Sequence, residues 1–179
     1  QEWSFGGLLG TFDRAAAQRG FLVYKQVCAA CHGLRQLAYR NLAGIGLSEE
    51  EIRAIAAEVQ VTDGPNDDGE MFERPGRPSD RFRSPFPNEK AARAANGGAY
   101  PPDLSLIVKA RAGGADYLHA LLTGYRDSPP AGVEPMEGMH YNAYFPGNWI
   151  AMARPLNDGQ VEYADGTPNT TGQMAKDLT

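Results

Sequence analysis

Residues 28–32 read Cys28-Ala29-Ala30-Cys31-His32 and contain both cysteines of the chain. The C-x-x-C-H pattern is the attachment site of a c-type haem. Two thiols at this spacing lie on one turn, so each can form a thioether with one edge of a porphyrin. The histidine that follows then lies under the iron as an axial ligand. The motif therefore predicts a protein built around one covalently bound haem c.

Other interpretations of the two cysteines are weaker. A thiol–disulfide redox centre with this spacing belongs near a βαβ pattern, which the sequence does not contain. A zinc site needs a second pair of cysteines or histidines at ligand spacing, and no such pair follows. With only two cysteines, a disulfide framework is excluded.

Length and composition fit one domain, residues 1–179, with enough apolar residues (42%) for a core. No apolar run of 18 residues is present, so we expect no membrane span within the chain. Gln1 does not begin a basic and apolar leader, so we expect any signal peptide to have been removed. The net charge of −5 argues against a nucleic-acid partner.

Charge is distributed unevenly along the chain. Residues 1–45 carry +3, residues 46–73 carry −8, residues 74–111 carry +5 and residues 112–179 carry −5. The acidic block comprises Glu49, Glu50, Glu51, Glu58, Asp63, Asp67, Asp68, Glu70 and Glu73. Such a run is either a solvated face or a surface that steers a basic partner, whose association rate would fall with salt.

Apolar spacing predicts short helices joined by long loops. Thr11 or Asp13 can cap a helix over 11–27, on which Gly20 and Tyr24 share a face that another helix can approach closely. Ser48 and Glu51 form a capping box for the next helix. Further helices are predicted over 89–96, 104–111 and 116–123, and a last one from residue 171.

Two stretches lack helical periodicity. Residues 60–87 are rich in proline and glycine and are best interpreted as an irregular insertion over a cofactor or at a partner surface. Residues 125–170 are mostly loop. A chain of this kind would be underpacked without its cofactor, because the porphyrin supplies apolar core. The sequence thus predicts a mainly α fold of short helices around one haem, with long irregular insertions.

The order of several motifs makes the match more specific than C-x-x-C-H alone. The whole chain resembles the cytochrome c1 family, on the residues Trp3-Ser4-Phe5, Gly7, Gly10, Phe12-Asp13, Gln18-Arg19-Gly20, Val23-Tyr24, Val27 to His32, Tyr39 to Leu42, Ala91 to Asn96, Pro101 to Ser105, Leu122 to Tyr125, Tyr144 to Gly147 and Asp165 to Pro168.

The resemblance implies the haem-bearing subunit of quinol:cytochrome c oxidoreductase, the cytochrome bc1 complex. Such a subunit is not an enzyme on its own. It accepts an electron from the Rieske iron–sulfur protein, lies beside cytochrome b, and passes the electron to a soluble basic c-type cytochrome. Two alternatives remain: a free periplasmic cytochrome c that shuttles electrons, and a haem enzyme or sensor with an open sixth position.

The resemblance also implies a class I cytochrome c core held at the membrane by one C-terminal helix. In the family, a segment like 173–177 continues into a helix that packs on the haem domain and then into the membrane. Because the sequence stops at Thr179, we expect a soluble fragment without its anchor, with the C-terminal helix truncated and the Gly20/Tyr24 face largely uncovered. Haem attachment outside the cytoplasm places it at the periplasmic face of a bacterial inner membrane, or alternatively in the mitochondrial intermembrane space.

An electron carrier needs a second axial ligand, and a methionine thioether favours the ferrous iron. The candidates are Met71, Met136, Met139, Met152, Met174, His119 and His140. From the residues alone, Met136, Met139 and His140 stay open beside Met152, which follows an apolar aromatic segment and precedes Pro155. The resemblance selects Met152, because the axial methionine of the family falls in this segment.

Further site residues follow from the resemblance. Pro102 lies in a segment like the proline loop whose carbonyl holds the axial histidine in class I cytochromes c. Arg111 occupies the place of an arginine that pairs with a haem propionate. Four further residues are expected as pocket walls, each of which could equally be ordinary core: Asn96, Tyr117, Leu122 and Ile150.

Overall fold

The computed structural model describes all residues 1–179. The helices are α1 (Arg14–Gln26), α2 (Glu49–Ala57), α3 (Glu89–Ala95), α4 (Gly114–Thr123) and α5 (Thr171–Leu178), with 3₁₀ turns at Cys28–Ala30 and Tyr39–Ile45. Short strands are β1 (Gln60–Asp63), β2 (Phe72–Pro75), β3 (His140–Tyr141) and β4 (Trp149–Ile150). The predicted mainly α, cytochrome c-like fold is confirmed. No helix has the length and apolar character that crossing a membrane requires.

The predicted caps of α1 and α2 are confirmed. The Asp13 carboxylate accepts hydrogen bonds from the amides of Ala15 and Ala16 and so caps α1. At α2 the capping box is complete, since the Ser48 hydroxyl accepts from the Glu51 amide while the Glu51 carboxylate accepts from the Ser48 amide. These bonds satisfy amides that have no partner inside the helix.

Helices α1 and α5 cross at Gly20. A methyl group at Gly20 would lie 2.0 Å from the carbonyl oxygen of Asp177, so only glycine permits this approach. Beside the crossing, Arg19 pairs with the buried Asp177 carboxylate through bonds of 2.8 and 2.9 Å. The first core cluster forms around this contact from Val23, Leu156, Val161, Tyr163, Met174 and Ala175.

The expectation that the Gly20/Tyr24 face would be largely uncovered is wrong. The last turn of α5 covers Gly20. Tyr24 is 7% exposed and contacts the ring of Phe82 edge to face, with ring centres 6.3 Å apart. The second core cluster is built here from Tyr24, Tyr39, Leu42, Ile52, Ala56 and Phe82.

One predicted helix does not form. Residues 104–111 form turns instead, closed by bonds from the Ile107 amide to the Leu104 carbonyl at 3.2 Å and from the Ala110 amide to the Ile107 carbonyl at 3.1 Å. The Leu104 amide donates to the Gly33 carbonyl at 2.8 Å. Helix α4 begins at Gly114, two residues before the predicted start at Asp116. Two of the three backbone bonds within 104–110 run from residue i to i−3, the tighter spacing of turns, so no continuous α-helix forms there.

The stretch 60–87 contains a hairpin that the periodicity analysis missed. Strands β1 and β2 pair antiparallel, with Gln60 opposite Pro75 and Asp63 opposite Phe72. The sequence Asp68-Gly69 at its tip is a turn signal that could have indicated it. Strands β3 and β4 form a second short pair, with His140 opposite Ile150.

Candidate haem-binding site

The C-x-x-C-H motif follows directly from the end of α1. The amides of Cys31 and His32 both donate to the Cys28 carbonyl, at 3.1 and 2.8 Å. This tight turn brings the two thiols and the imidazole together on one stretch of backbone. Val27 packs against the first core cluster and Cys28 against the second, so the motif lies where the two clusters meet.

The imidazole of His32 is oriented by the proline loop. Its Nδ1 atom lies 2.7 Å from the carbonyl oxygen of Pro102, the residue that the resemblance implies for this contact. An N–H at Nδ1 that donates to this carbonyl leaves Nε2 as the nitrogen able to bind a metal. The Tyr24 hydroxyl donates to the backbone carbonyl of His32 at 3.1 Å and so fixes the main chain of His32.

The proline loop is itself tied to the motif. The Asp103 carboxylate accepts from the amides of Arg35 at 2.9 Å and Ser105 at 3.0 Å. Burial opposes the charge on Asp103, but these hydrogen bonds prevail and hold its pKa below the ordinary value. The Ser105 hydroxyl accepts from the Gln36 amide at 3.1 Å. Pro102 is therefore held in position by bonds on its C-terminal side.

The thiols have the character of attachment sites rather than of a redox centre. Both cysteines are free. Burial raises the pKa of the Cys28 thiol to about 11, whereas a reactive redox cysteine has a lowered pKa. No group of three or more His, Cys, Asp or Glu side chains could hold a metal ion, which argues against zinc. A paired-thiol turn with one oriented imidazole fits a covalently bound haem.

Met152 lies two residues beyond β4, in a segment that is held by contacts at Ile150, Met152 and Leu156. Ile150 is buried and pairs with His140. The carbonyl of Met152 accepts a hydrogen bond of 3.0 Å from the Tyr125 hydroxyl. Leu156, four residues on, is fully buried in the first core cluster.

The other candidate axial ligands lie in less suitable places. Met71 and Met136 are 60% and 51% exposed on loops, and His140 is exposed on β3. Met174 is fully buried between α1 and α5. His119 contacts the Trp3 ring, and Met139 lines an open polar groove beside Trp149.

The remaining predicted site residues are spread over three segments. Arg111 is exposed, and its Nη1 atom donates only to the neighbouring Ala110 carbonyl at 3.1 Å, so its guanidinium has no carboxylate partner in the protein. The Asn96 side chain donates to the Ala92 carbonyl at the end of α3. Leu122 packs against the first core cluster, and Tyr117 is half-buried on α4.

Asn142 and Tyr125 are structurally prominent near Met152, yet the sequence analysis did not single them out as site residues. Asn142 is fully buried and makes three side-chain hydrogen bonds. Tyr125 joins segments 27 residues apart. Nothing in a single sequence reveals that a polar side chain in a proline- and glycine-rich loop is buried.

The thioether motif, the oriented histidine and the mainly α fold are the features of a c-type cytochrome. The sequence model of the cytochrome c1 family matches residues 3–179. The chain belongs to the cytochrome c1 family, and the expectation of one covalently bound haem c is confirmed at the level of that family.

Individual relatives agree with this assignment. A potato (Solanum tuberosum) protein named "Cytochrome c1-2, heme protein, mitochondrial" is 61% identical over 98% of this chain and 67% of its own length. A Candida albicans protein named as the catalytic subunit of the cytochrome b-c1 complex is 57% identical over 99% of the chain and 62% of its own length. A Bradyrhizobium diazoefficiens protein named "Cytochrome b/c1" is 53% identical over 99% of the chain and 29% of its own length. Among four plant relatives the chain spans 55 to 67% of the full length.

Proposed function

We propose that this chain is the haem-bearing electron relay of a quinol:cytochrome c oxidoreductase. It would accept an electron from the Rieske iron–sulfur protein and pass it to a soluble basic c-type cytochrome. The observation that carries the proposal is the 2.7 Å contact between His32 Nδ1 and the Pro102 carbonyl, within a C-x-x-C-H turn. This contact leaves Nε2 available to serve as an axial ligand.

The bound haem would supply a one-electron iron couple. Cys28 and Cys31 would hold it through thioethers, and His32 Nε2 and Met152 Sδ would occupy the two axial positions. A site closed on both sides keeps one geometry in both oxidation states and excludes small ligands. A thioether at the sixth position raises the reduction potential, as a high-potential carrier requires.

The choice of Met152 is supported by its surroundings. Its backbone is held by Tyr125 and by the neighbouring buried residues Ile150 and Leu156. The exposed methionines Met71 and Met136 have no comparable restraint. Arg111 would pair with a propionate, since its guanidinium has no acidic partner in the protein. Pro102 would act through His32, and four side chains would contribute to the pocket walls: Asn96, Tyr117, Leu122 and Ile150.

Assembly with a larger complex is supported by the names of the relatives. The Candida relative is named as a subunit of the cytochrome b-c1 complex, and the Bradyrhizobium name combines b and c1. We therefore place the chain beside cytochrome b, at the periplasmic face of a bacterial inner membrane or in the equivalent intermembrane space. The acidic hairpin formed by β1 and β2 would attract the basic cytochrome.

The proposal is tested with Met152→Leu, using Met136→Leu as the matched control. Leucine keeps the volume and apolar character but has no sulfur. We expect Met152→Leu to retain the covalent haem, lower the midpoint potential sharply and bind carbon monoxide readily. Met136 is half exposed, so the control should behave as the unmodified protein does. An unchanged potential in Met152→Leu would contradict the assignment.

The partner assignment is tested in the assembled complex by following reduction of this haem after quinol is added. Reduction should require the Rieske cluster and should stop when that cluster is removed. Reduction at the same rate without the cluster would favour the free shuttle. Carbon monoxide binding by the unmodified protein would favour the enzyme or sensor with an open position.

A further inference from the structure

A buried polar network surrounds the segment that leads to Met152. Asn142 is fully buried at its centre. Its Nδ2 atom donates to the Leu121 carbonyl at 2.7 Å, and its Oδ1 atom accepts from the amides of Tyr144 at 3.0 Å and Phe145 at 3.2 Å. Each of these backbone groups would destabilise the fold if it lost its partner. The Asn142 side chain therefore holds all three backbone groups in place.

The network joins the end of α4 to both short strands. The Ala143 amide donates to the Gly124 carbonyl at 3.0 Å, and the Asn142 amide donates to the Asn148 carbonyl at 2.8 Å. The Asn148 side chain returns a bond of 3.1 Å to the Asn142 carbonyl. Residue 142, directly after β3, is therefore hydrogen-bonded both to the end of α4 and to the residue that precedes β4.

The close approach depends on a small residue at the end of α4. A methyl group at Gly124 would lie 2.5 Å from the Tyr144 ring and 3.0 Å from Asn142 Oδ1. The two segments are therefore in direct contact there. Movement of the 142–145 backbone would disturb the end of α4 as well.

Tyr125 links the Asn142 network to Met152. Its side chain is buried, and its hydroxyl donates to the Met152 carbonyl at 3.0 Å. Its backbone forms an antiparallel bridge with Asn142. Burial raises the pKa of the Tyr125 phenol, so the hydroxyl keeps its proton and remains a donor.

We propose that Tyr125 and Asn142 are positioning residues that hold the Met152 backbone where its thioether can reach the iron. This inference rests on the proposed function of Met152. Neither residue would touch the iron. Their effect would be on how often the methionine detaches, and so on how well an added ligand competes for the sixth position.

The test is Tyr125→Phe in the haem-loaded protein, with imidazole as the added ligand. The substitution removes one hydroxyl and keeps the ring that fills the buried space. We expect ferric Tyr125→Phe to bind imidazole about fivefold more tightly, the equilibrium equivalent of one lost intramolecular hydrogen bond. The methionine-to-ferric-iron charge-transfer band should weaken.

Tyr141→Phe is the matched control. Tyr141 belongs to the neighbouring strand and packs edge to face on Trp149, with ring centres 5.5 Å apart. Its hydroxyl makes no hydrogen bond, so imidazole affinity and the charge-transfer band should stay unchanged. For Asn142, Asn142→Asp keeps the Oδ1 acceptor and removes the donor to Leu121. It should raise imidazole affinity and speed exchange of the Asn148 amide, which donates to the Phe145 carbonyl at 2.8 Å.

The positioning role of Tyr125 and the axial role of Met152 are contradicted by different results. If Met152→Leu abolishes the charge-transfer band but Tyr125→Phe alters neither imidazole affinity nor the band, the positioning role is overturned and the axial assignment stands. Equal shifts in Tyr125→Phe and Tyr141→Phe would also overturn it. If Met152→Leu leaves the band intact, the proposed function itself fails.

Discussion

Nδ1 of His32 and the carbonyl oxygen of Pro102 lie 2.7 Å apart across 70 residues of sequence. An N–H at Nδ1 that donates to this carbonyl leaves Nε2 as the imidazole nitrogen able to bind a metal. The contact also joins the haem motif to the proline loop, which would hold one face of the pocket. A hydrogen bond donated by the second ring nitrogen raises the basicity of a ligating histidine and so influences the potential of the site.

The crossing of α1 and α5 at Gly20 predicts a destabilising substitution. Gly20→Ala places a methyl group 2.0 Å from the Asp177 carbonyl, and backbone cannot move aside as a flexible side chain can. We expect a loss of about 2 kcal/mol in the free energy of unfolding, although alanine favours a helix intrinsically. Denaturant unfolding measures it.

The control for this substitution is Gly44→Ala. Gly44 lies in the 3₁₀ turn Tyr39–Ile45, and an added methyl group would meet no atom within 4 Å. It should leave stability unchanged or slightly raised. Equal losses at both positions would contradict the account of the α1–α5 contact.

If Arg111 pairs with a haem propionate, its substitution should change the stability and the potential of the haem-loaded protein. Arg111→Gln should lower the stability of the haem-loaded protein by about 1 kcal/mol and shift its midpoint potential, because a propionate loses a charged partner. Arg40→Gln is the control, since Arg40 is exposed and forms no ion pair. Arg93 is less suitable because it already pairs with Glu89 and stacks over Tyr100. Equal shifts in Arg111→Gln and Arg40→Gln would refute the propionate role.

The tip of the β1–β2 hairpin predicts salt-dependent electron transfer. Asp67, Asp68 and Glu70 are exposed there and form no ion pair. Three other acidic residues of the block are already paired: Glu58 with Lys25, Glu49 with Arg53 and Asp63 with Arg74. Neutralising all three as Asn, Asn and Gln should slow electron transfer to a basic c-type cytochrome severalfold at low ionic strength. High salt should remove the difference.

A second triple variant provides the charge-matched control. Asp127→Asn, Glu134→Gln and Glu137→Gln remove the same charge from the loop after α4. If both triple variants slow the reaction equally, overall charge rather than the hairpin steers the partner. The hairpin assignment would then be wrong.

Because Asp80 is paired with Arg74, we expect the stability of the fold to fall in acid. The Asp80 carboxylate accepts two bonds from the Arg74 guanidinium, at 2.7 and 3.0 Å, which lower its pKa to about 2. A carboxyl whose pKa is lower in the folded state stabilises the fold above its ordinary pKa, near 4, and loses that contribution as pH falls toward 2. Asp80→Asn should therefore reduce stability at pH 7 and flatten its decline between pH 4 and 2.

Denaturant midpoints at several pH values measure this effect. Asp127→Asn is the control, because the Asp127 side chain is 90% exposed in its pair with Arg154. It should leave the pH dependence as it is. An Asp80→Asn protein with an unchanged decline would show that other carboxylates control acid unfolding.

Local sequence signals predicted the elements that depend on local chemistry. The capping box at Ser48 and the cap at Asp13 were visible because each involves residues within three positions of one another. The contact of His32 with Pro102 was predicted only through the resemblance to a known loop. Residues 104–111 were predicted wrongly because their apolar spacing fits a helix, whereas the chain there makes mainly turn bonds from residue i to i−3.

Long-range polar contacts could not be predicted from a single sequence. The bond from Tyr125 to Met152 spans 27 residues, and the burial of Asn142 depends on how α4 meets the two short strands. The covering of Gly20 by α5 likewise needed the three-dimensional path of the chain. The sequence indicated a close approach at Gly20 but not which residues provide it.

The central claim is that His32 and Met152 together close the haem site. The most direct measurement is a near-infrared spectrum of the oxidised haem-loaded protein. The account predicts the weak methionine-to-ferric-iron charge-transfer band and low-spin features, both lost in Met152→Leu. High-spin features without that band in the unmodified protein would contradict it and indicate an open sixth position.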